Sequence, residues 1–227
     1  FYSSNKSQKR FLKNCFNILG IKSEPVTGIK LINSHLEKKF KCKETNSLII
    51  VLGLGLDSGR QINKFLIKRI INNAKKRNLV PYILEEPNNV VISKELAKEN
   101  NIKTKSCKNL LELFILLKNS KYVIGYDCGP MHIASLVSNS ITLFSHVSPN
   151  HWGKHIWNKT ISKKIFHKRG DQIFVIKQKN KGSLKNNWLI YKDEGCCPFH
   201  RNSCINNKCS ELNNYLLVKS INLILSD

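Results

Sequence analysis

One run of residues limits what this chain can fold into more than any other: Lys121-Tyr122-Val123-Ile124-Gly125-Tyr126-Asp127-Cys128-Gly129-Pro130-Met131-His132-Ile133-Ala134. Residues 122–124 form a short apolar strand, residues 127–129 a sharp polar turn, and Pro130 opens a helix. Proline suits a first helical turn because its φ is already set and its missing N–H would have had no intrahelical partner. Gly129 permits an unusual φ or a close approach of backbone to a ligand. A helix starting here aims free N–H groups and a positive dipole end at whatever lies above the strand, which makes the turn a place to hold a phosphate. The same residues also read as an ordinary strand-to-helix connection with Asp127 as N-cap. The rest of the chain has to decide between the two.

Alternation of strand and helix sets in at Ser47. Residues 48–52 are an apolar, β-branched run ending in glycines, as in a buried parallel strand. Residues 59–78 carry Ile62, Phe65, Leu66, Ile70 and Ala74 at helical spacing on a basic background. Strand 79–84, helix 91–99, edge strand 102–105, helix 110–117 and strand 141–144 follow, and residues 173–176 and 212–225 give a late strand and a final helix. This order predicts an α/β fold, a Rossmann-like parallel sheet with helices on both faces. Such sheets bind ligands beyond the carboxyl ends of their strands. The places to look are therefore 53–60, 85–89, 127–132 and 145–152. The boundaries read from the pattern are a closing segment and linker at 1–45, a Rossmann-like domain at 46–190, and a cysteine-rich segment with a terminal helix at 191–227.

Composition narrows the partners. Lys and Arg number 38 against 15 Asp and Glu, a net charge of +23, which attracts polyanions: nucleic acid, anionic lipid or a phosphorylated substrate. The lysines are spread through a sequence rich in Asn and Ile, so base composition explains the excess equally well. Beginning at Phe1 rather than Met, the sequence is expected to be a fragment or a processed product. The start lacks the apolar core of a signal peptide, and no stretch is long enough to span a bilayer. Cys15, Cys42, Cys107 and Cys128 are scattered, as in a reducing cytoplasm.

Each remaining motif has a plain reading beside its functional one. Gly53-Leu54-Gly55-Leu56-Asp57-Ser58-Gly59-Arg60 has one residue too many for Gly-x-Gly-x-x-Gly, and glycines often make such turns with no ligand. Glu85 and Glu86 end the second strand, where Rossmann domains can place an acid on a ribose, or they are a polar loop. His132 is a structural hydrogen bonder or, at a helix N-terminus, a donor to a phosphate. Asp127 is expected to position ligand or loop rather than act as a base, because a helix N-terminus favours its ionised form. Cys197, His200, Cys204 and Cys209 could supply four ligands to a structural zinc, or be reduced thiols in a loop.

Asp-Cys-Gly-Pro-Met-His-Ile-Ala at 127–134 resembles the Asp-Thr-Gly-Pro-Met-His-Ile-Ala signature of the heptosyltransferases, glycosyltransferase family 9. Residues 12–21, 49–60, 109–117, 141–149 with Trp152, and 196–209 are similar, in order, to further family segments. The resemblance implies the C-terminal half of a GT-B fold, whose cleft binds a nucleotide-sugar, typically ADP-heptose, without a cofactor or catalytic metal. The sugar would pass with inversion to a lipopolysaccharide core or other glycan acceptor. Ser58, Gly59, Arg60, Asp127, Cys128, Gly129, Pro130, Met131 and His132 would then hold the donor, with Arg60 neutralising the diphosphate. Glu85, Glu86 and Asn89 are the ribose or base candidates. The general base of the family lies in an acceptor domain that would precede Phe1, so no catalytic base is assigned. Cys128 stands where the family has Thr, and Ser145-His146-Val147-Ser148 replaces its Gly-Pro-Thr loop, which leaves the donor open. The implied protein is cytoplasmic, with attachment to the anionic inner face of the inner membrane compatible with its charge. The rival reading is a basic, non-enzymatic nucleic-acid-binding module with a zinc-stapled tail. It lacks the interleaved basic and aromatic stripe expected for that role, and nucleic acid is not favoured. A dehydrogenase ranks third, on its glycine spacing.

Overall fold

The computed structural model describes residues 45–53, 64–87, 89–144, 149, 159–168, 170–179, 185–192 and 212–226. The elements in chain order are β1 (Thr45–Val51), α1 (Lys64–Lys76), β2 (Val80–Leu84), α2 (Val90–Glu99), β3 (Lys103–Lys105), α3 (Leu110–Lys118), β4 (Ser120–Tyr126), α4 (Gly129–Val137), β5 (Asn139–Phe144), β6 (Lys159–Lys168), β7 (Asp171–Lys179), β8 (Asn186–Tyr191) and α5 (Asn214–Ile224). They build one eight-stranded sheet in the order β3-β2-β1-β4-β5-β8-β7-β6. The strands from β3 through β8 pair in parallel. β7 and β6 then run antiparallel.

The Rossmann-like expectation holds for the parallel part. Ile49 and Val51 of β1 pack on one face with Phe114 and Leu117 of α3 and Met131, Ile133 and Val137 of α4. Leu48 and Ile50 turn to the other face, against Leu66, Ile67 and Ile70 of α1, Leu96 of α2 and Leu216 and Ile221 of α5. A strand buried on both faces has no polar side to show, so β1 reads as a continuous apolar run. Local chemistry sets the helix starts. Asn109 caps α3 by accepting from the Glu112 N–H at 2.9 Å, and the Glu112 carboxylate reaches back past the cap to accept from the Lys108 N–H at 2.8 Å. Asn213 caps α5 through the N–H groups of Tyr215 and Leu216.

Three expectations are corrected. The stripe on α1 is Leu66, Ile67, Ile70, Ile71 and Ala74, while Phe65 is 53% exposed with Arg69 over its ring at 5.1 Å. Residues 173–176 are the centre of the longer β7, which β6 and β8 flank. The four lysines of β6, Lys159, Lys163, Lys164 and Lys168, break up its apolar residues. The third concerns the cap of α4 and is taken up with the site.

The junction of β1 and β4 is tight. Gly125 sits opposite Val51, and a Cβ there would lie 2.4 Å from the Val51 carbonyl oxygen, 2.8 Å from Val51 Cβ and 3.2 Å from Met131 Sδ. Backbone cannot move aside as a flexible side chain can. Gly125→Ala should therefore cost about 3 kcal/mol or more in urea unfolding, at the upper end of overpacking penalties. Gly129→Ala, where a Cβ meets nothing within 4 Å, should change stability by less than about 1 kcal/mol. Equal effects of the two substitutions would refute this account of the junction.

Candidate functional site

From β1 the chain winds outward to β2 and β3, and from β4 it winds the other way to β5. The order therefore reverses between β1 and β4, and in open sheets of this kind the carboxyl ends of the strands at such a reversal are where a ligand crevice forms. Gly53 follows β1 on one side of it, and Asp127 follows β4 on the other.

The turn after β4 is fixed from both sides. Asp127 donates its N–H to the Leu143 carbonyl of β5 at 3.1 Å, which holds the turn against the next strand. α4 then starts with extended Cys128 as N-cap and Pro130 in its first turn, and the Cys128 side chain makes no capping hydrogen bond. Asp127 is thus not the cap that the sequence suggested. It lies one residue too early, and its carboxylate turns instead towards His132. Oδ1 is 3.3 Å from His132 Nε2, a close electrostatic contact rather than a tight hydrogen bond. Both side chains are largely buried, while a Cβ on Gly129 would meet open space. The first turn of α4 accordingly offers accessible backbone beside a buried acid–imidazole pair. Met131 faces inward, its sulfur against Gly125, and anchors the helix start to β4.

Burial lowers the pKa of His132 below its ordinary 6.5, and the Asp127 carboxylate offsets only part of that. The imidazole is therefore neutral at pH 7, and the pair as a whole carries the charge of the carboxylate. Tyr126, just before the turn, has its phenol pushed up to about 12 by burial and is a structural wall rather than a proton donor. Gly53 closes over it: at φ +65, a Cβ on Gly53 would stand 3.1 Å from Tyr126 Cβ.

The two adjacent glutamates separate. Glu85 accepts from Thr104 Oγ1 at 2.5 Å and its N–H donates to the Lys105 carbonyl at 2.8 Å, so it serves the β2–β3 edge. Glu86 accepts from the Gly53 N–H at 2.6 Å and so holds the first residues of the glycine-rich loop at the crevice. Asn89 caps α2 by position, without a side-chain capping bond. The sequence offered no means of telling one glutamate from the other, nor of seeing the Glu86–Gly53 link. Ser58, Gly59 and Arg60, and the cluster Cys197, His200, Cys204 and Cys209, lie outside the described residues. Among the described residues no three His, Cys, Asp or Glu side chains are grouped to hold a metal, and no helix is long and apolar enough to cross a membrane.

Fold and site together define a Rossmann-like domain with a strand-to-helix turn at its point of strand-order reversal. Residues 79–183, which contain the Asp127 turn, match the profile of glycosyltransferase family 9 (heptosyltransferase). No curated protein matches the sequence. Among solved structures, the fold is similar to E. coli ADP-heptose lps heptosyltransferase II, at TM-score 0.50 and 12% identity over 86% of this chain and 51% of that one. It is also similar to the E. coli heptosyltransferase WaaC with ADP, at TM-score 0.45 and 15% identity over 53% of this chain and 38% of that one. The family 9 glycosyl transferase of Veillonella parvula gives TM-score 0.42 and 13% identity over 53% and 36%. The chain thus spans about half, or less, of the length of these structures.

The neutral His132 has a thermodynamic consequence. Below pH 6.5 the unfolded chain takes up a proton that the native imidazole refuses, so stability should fall as pH drops from 6.5 towards the native pKa. Removing the one group that raises this pKa, in Asp127→Asn, should lower it further. NMR titration of the His132 ring reads both effects, and a native midpoint at or above 6.5 would contradict them.

Proposed function

We propose that this chain contributes the nucleotide-sugar-binding half of a GT-B glycosyltransferase of the heptosyltransferase type. The observation that carries the reading is the Asp127–His132 pair at the open start of α4, beside the crevice where strand order reverses, within the segment of the family match. Pro130 has no N–H, and those of Met131 and His132 donate to the Cys128 carbonyl, so a diphosphate would take the Gly129 N–H and the positive end of α4, an arrangement that favours anions. Gly129 leaves room for the phosphate to approach. Arg60 would add charge from the loop after β1.

The reaction on this reading is a single displacement. An acceptor hydroxyl oxygen attacks the anomeric carbon, and the bond from that carbon to the diphosphate oxygen breaks. The diphosphate leaves with the electron pair, and the hydroxyl proton passes to a base. That base would come from an acceptor-binding domain, so we assign no residue of this chain to it. What this half contributes is stabilisation of the charge that develops on the leaving diphosphate, by dipoles already in place. Asp127 would orient a ligand hydroxyl or the loop, and His132 would donate to a phosphate oxygen or the departing nucleotide. ADP-heptose is the donor we favour and a lipopolysaccharide core the acceptor.

Calorimetry with ADP and ADP-sugars tests the proposal. We expect binding tighter than about 1 mM, and at least a tenfold loss, about 1.4 kcal/mol, in each of Asp127→Ala and His132→Ala. No binding in the millimolar range, or unchanged affinity in both variants, would sink it. A second expectation concerns protons. A diphosphate beside His132 raises the imidazole pKa, so an ADP-sugar should bind with net proton uptake and more tightly at pH 6 than at pH 8. Calorimetry in buffers of different ionisation enthalpy measures the uptake, which should vanish in His132→Gln.

A further inference from the structure

The β6–β7 hairpin lies at the far end of the sheet from β3, and its chemistry differs from that of the remainder. Lys or Arg fill seven of the positions from 159 to 179, against one acid, Asp171. That acid is already engaged, with Lys192 Nζ at 3.5 Å and the Asn213 amide at 2.8 Å. The hairpin's lysines rest on aromatic rings instead. Lys163 stands over Phe174 at 4.5 Å, Lys177 over Trp188 at 5.3 Å and Lys168 over Tyr215 at 3.4 Å. On α5, Lys219 stands over Phe166 at 5.9 Å. An ammonium group on a ring face, as at Lys163 and Lys168, is held by the ring's negative face while its charge stays directed outward.

Apolar groups stand out beside these charges. Ile161 and Ile165 on β6 are 50% and 47% exposed, and Tyr215 on α5 is 55% exposed. Opposed residues of an antiparallel pair share a face. The register thus puts Lys163 and Ile165 on one face of the hairpin, and Lys164, Phe166 and Lys168 on the other. β6 is the outer strand of the sheet, so both faces meet at its rim. Lysines set astride protruding isoleucines and a tyrosine are what the boundary between water and a charged bilayer surface selects: apolar tips reach in, aromatic rings lie at headgroup depth, and ammonium groups reach phosphates. Lysine on an edge strand also guards against strand pairing, but that role calls for no exposed isoleucine.

We propose that the outer rim of β6, with Lys163, Lys164, Lys168, Ile165 and Tyr215, is a docking surface for anionic lipid bilayers. The inference is independent of the donor reading. It concerns the opposite end of the protein's charge problem, namely where the basic excess is spent. A nucleic acid would satisfy the charges but would leave the protruding isoleucines without a partner.

The test is flotation of the full chain with vesicles of phosphatidylcholine alone and of an equimolar phosphatidylcholine–phosphatidylglycerol mixture. The chain should bind only the mixture. Lys163→Gln with Lys164→Gln should weaken binding roughly twenty-five-fold, about fivefold for each lysine. Ile165→Ser should weaken it while leaving the salt dependence unchanged. Lys94→Gln with Lys98→Gln, on the exposed side of α2, should have little effect. Equal loss in that control pair would overturn the proposal in favour of undirected net charge. So would indifference to phosphatidylglycerol. Tight binding of an oligothymidylate through Lys163 and Lys164, with no binding to vesicles, would overturn it in favour of nucleic acid.

Discussion

The structure depends on how closely β1 and β4 can approach at their carboxyl ends. Each strand gives up a side chain there for the other. Gly125 has no Cβ where the Val51 carbonyl and Met131 sulfur stand, and Gly53 has none where Tyr126 stands. This mutual omission lets α4 sit directly on the central pair of strands. It also brings the turn after β4 level with Gly53, just after β1. Larger residues at either place would force the two apart, and the crevice would lose its shape before any ligand group was touched.

From that junction the site is held in three directions. The Asp127 N–H is tied to β5, Met131 is wedged against β4, and Gly53, just after β1, is held by Glu86 at the end of β2. Four strands therefore converge on a few residues, and the donors at the start of α4 are aimed by the sheet rather than by the turn itself. Backbone fixed in this way need not reorganise as negative charge arrives, which is the condition under which dipoles contribute most. α4 has a short first turn with Pro130 in it, and its cap residue, Cys128, contributes no side-chain capping bond.

Much of the parallel fold could be read from the sequence, because strands buried on both faces leave unbroken apolar runs such as 48–52. The run 121–134 likewise carried its strand, turn and helix in order. What could not be read was anything decided by partners distant in sequence. Glu85 and Glu86 are adjacent and chemically identical, yet one serves β3 through Thr104 and the other holds Gly53. Only the sheet order separates them. Asp127 looked like a helix cap because caps are what aspartate commonly supplies at such turns. The helix begins one residue later, so its carboxylate lies beside His132 instead. The β6–β7 hairpin escaped notice for a third reason. Beyond the strand read at 173–176, several of its lysines sit over aromatic rings, and a lysine-rich stretch reads as a solvated loop unless the rings it covers are known.

The Asp127–His132 pair ties the energetics of the fold to the chemistry of the site. Burial enough to make the turn rigid is also burial enough to make the imidazole neutral. The carboxylate 3.3 Å away draws the proton back without fully offsetting the desolvation. The pair is thus poised between two states: with a neutral imidazole it is net negative, and with a protonated one it is net neutral. On the proposed reading, an incoming diphosphate would be repelled by the first state and accepted by the second, so the proton would become part of what is bound. A lysine at position 132 would attract phosphate without this condition, but as a permanent cation at that depth it would bear the desolvation cost whether or not ligand were present. Histidine would take its charge only when such a ligand brought the counter-charge, and the fold is spared a buried cation in the empty state.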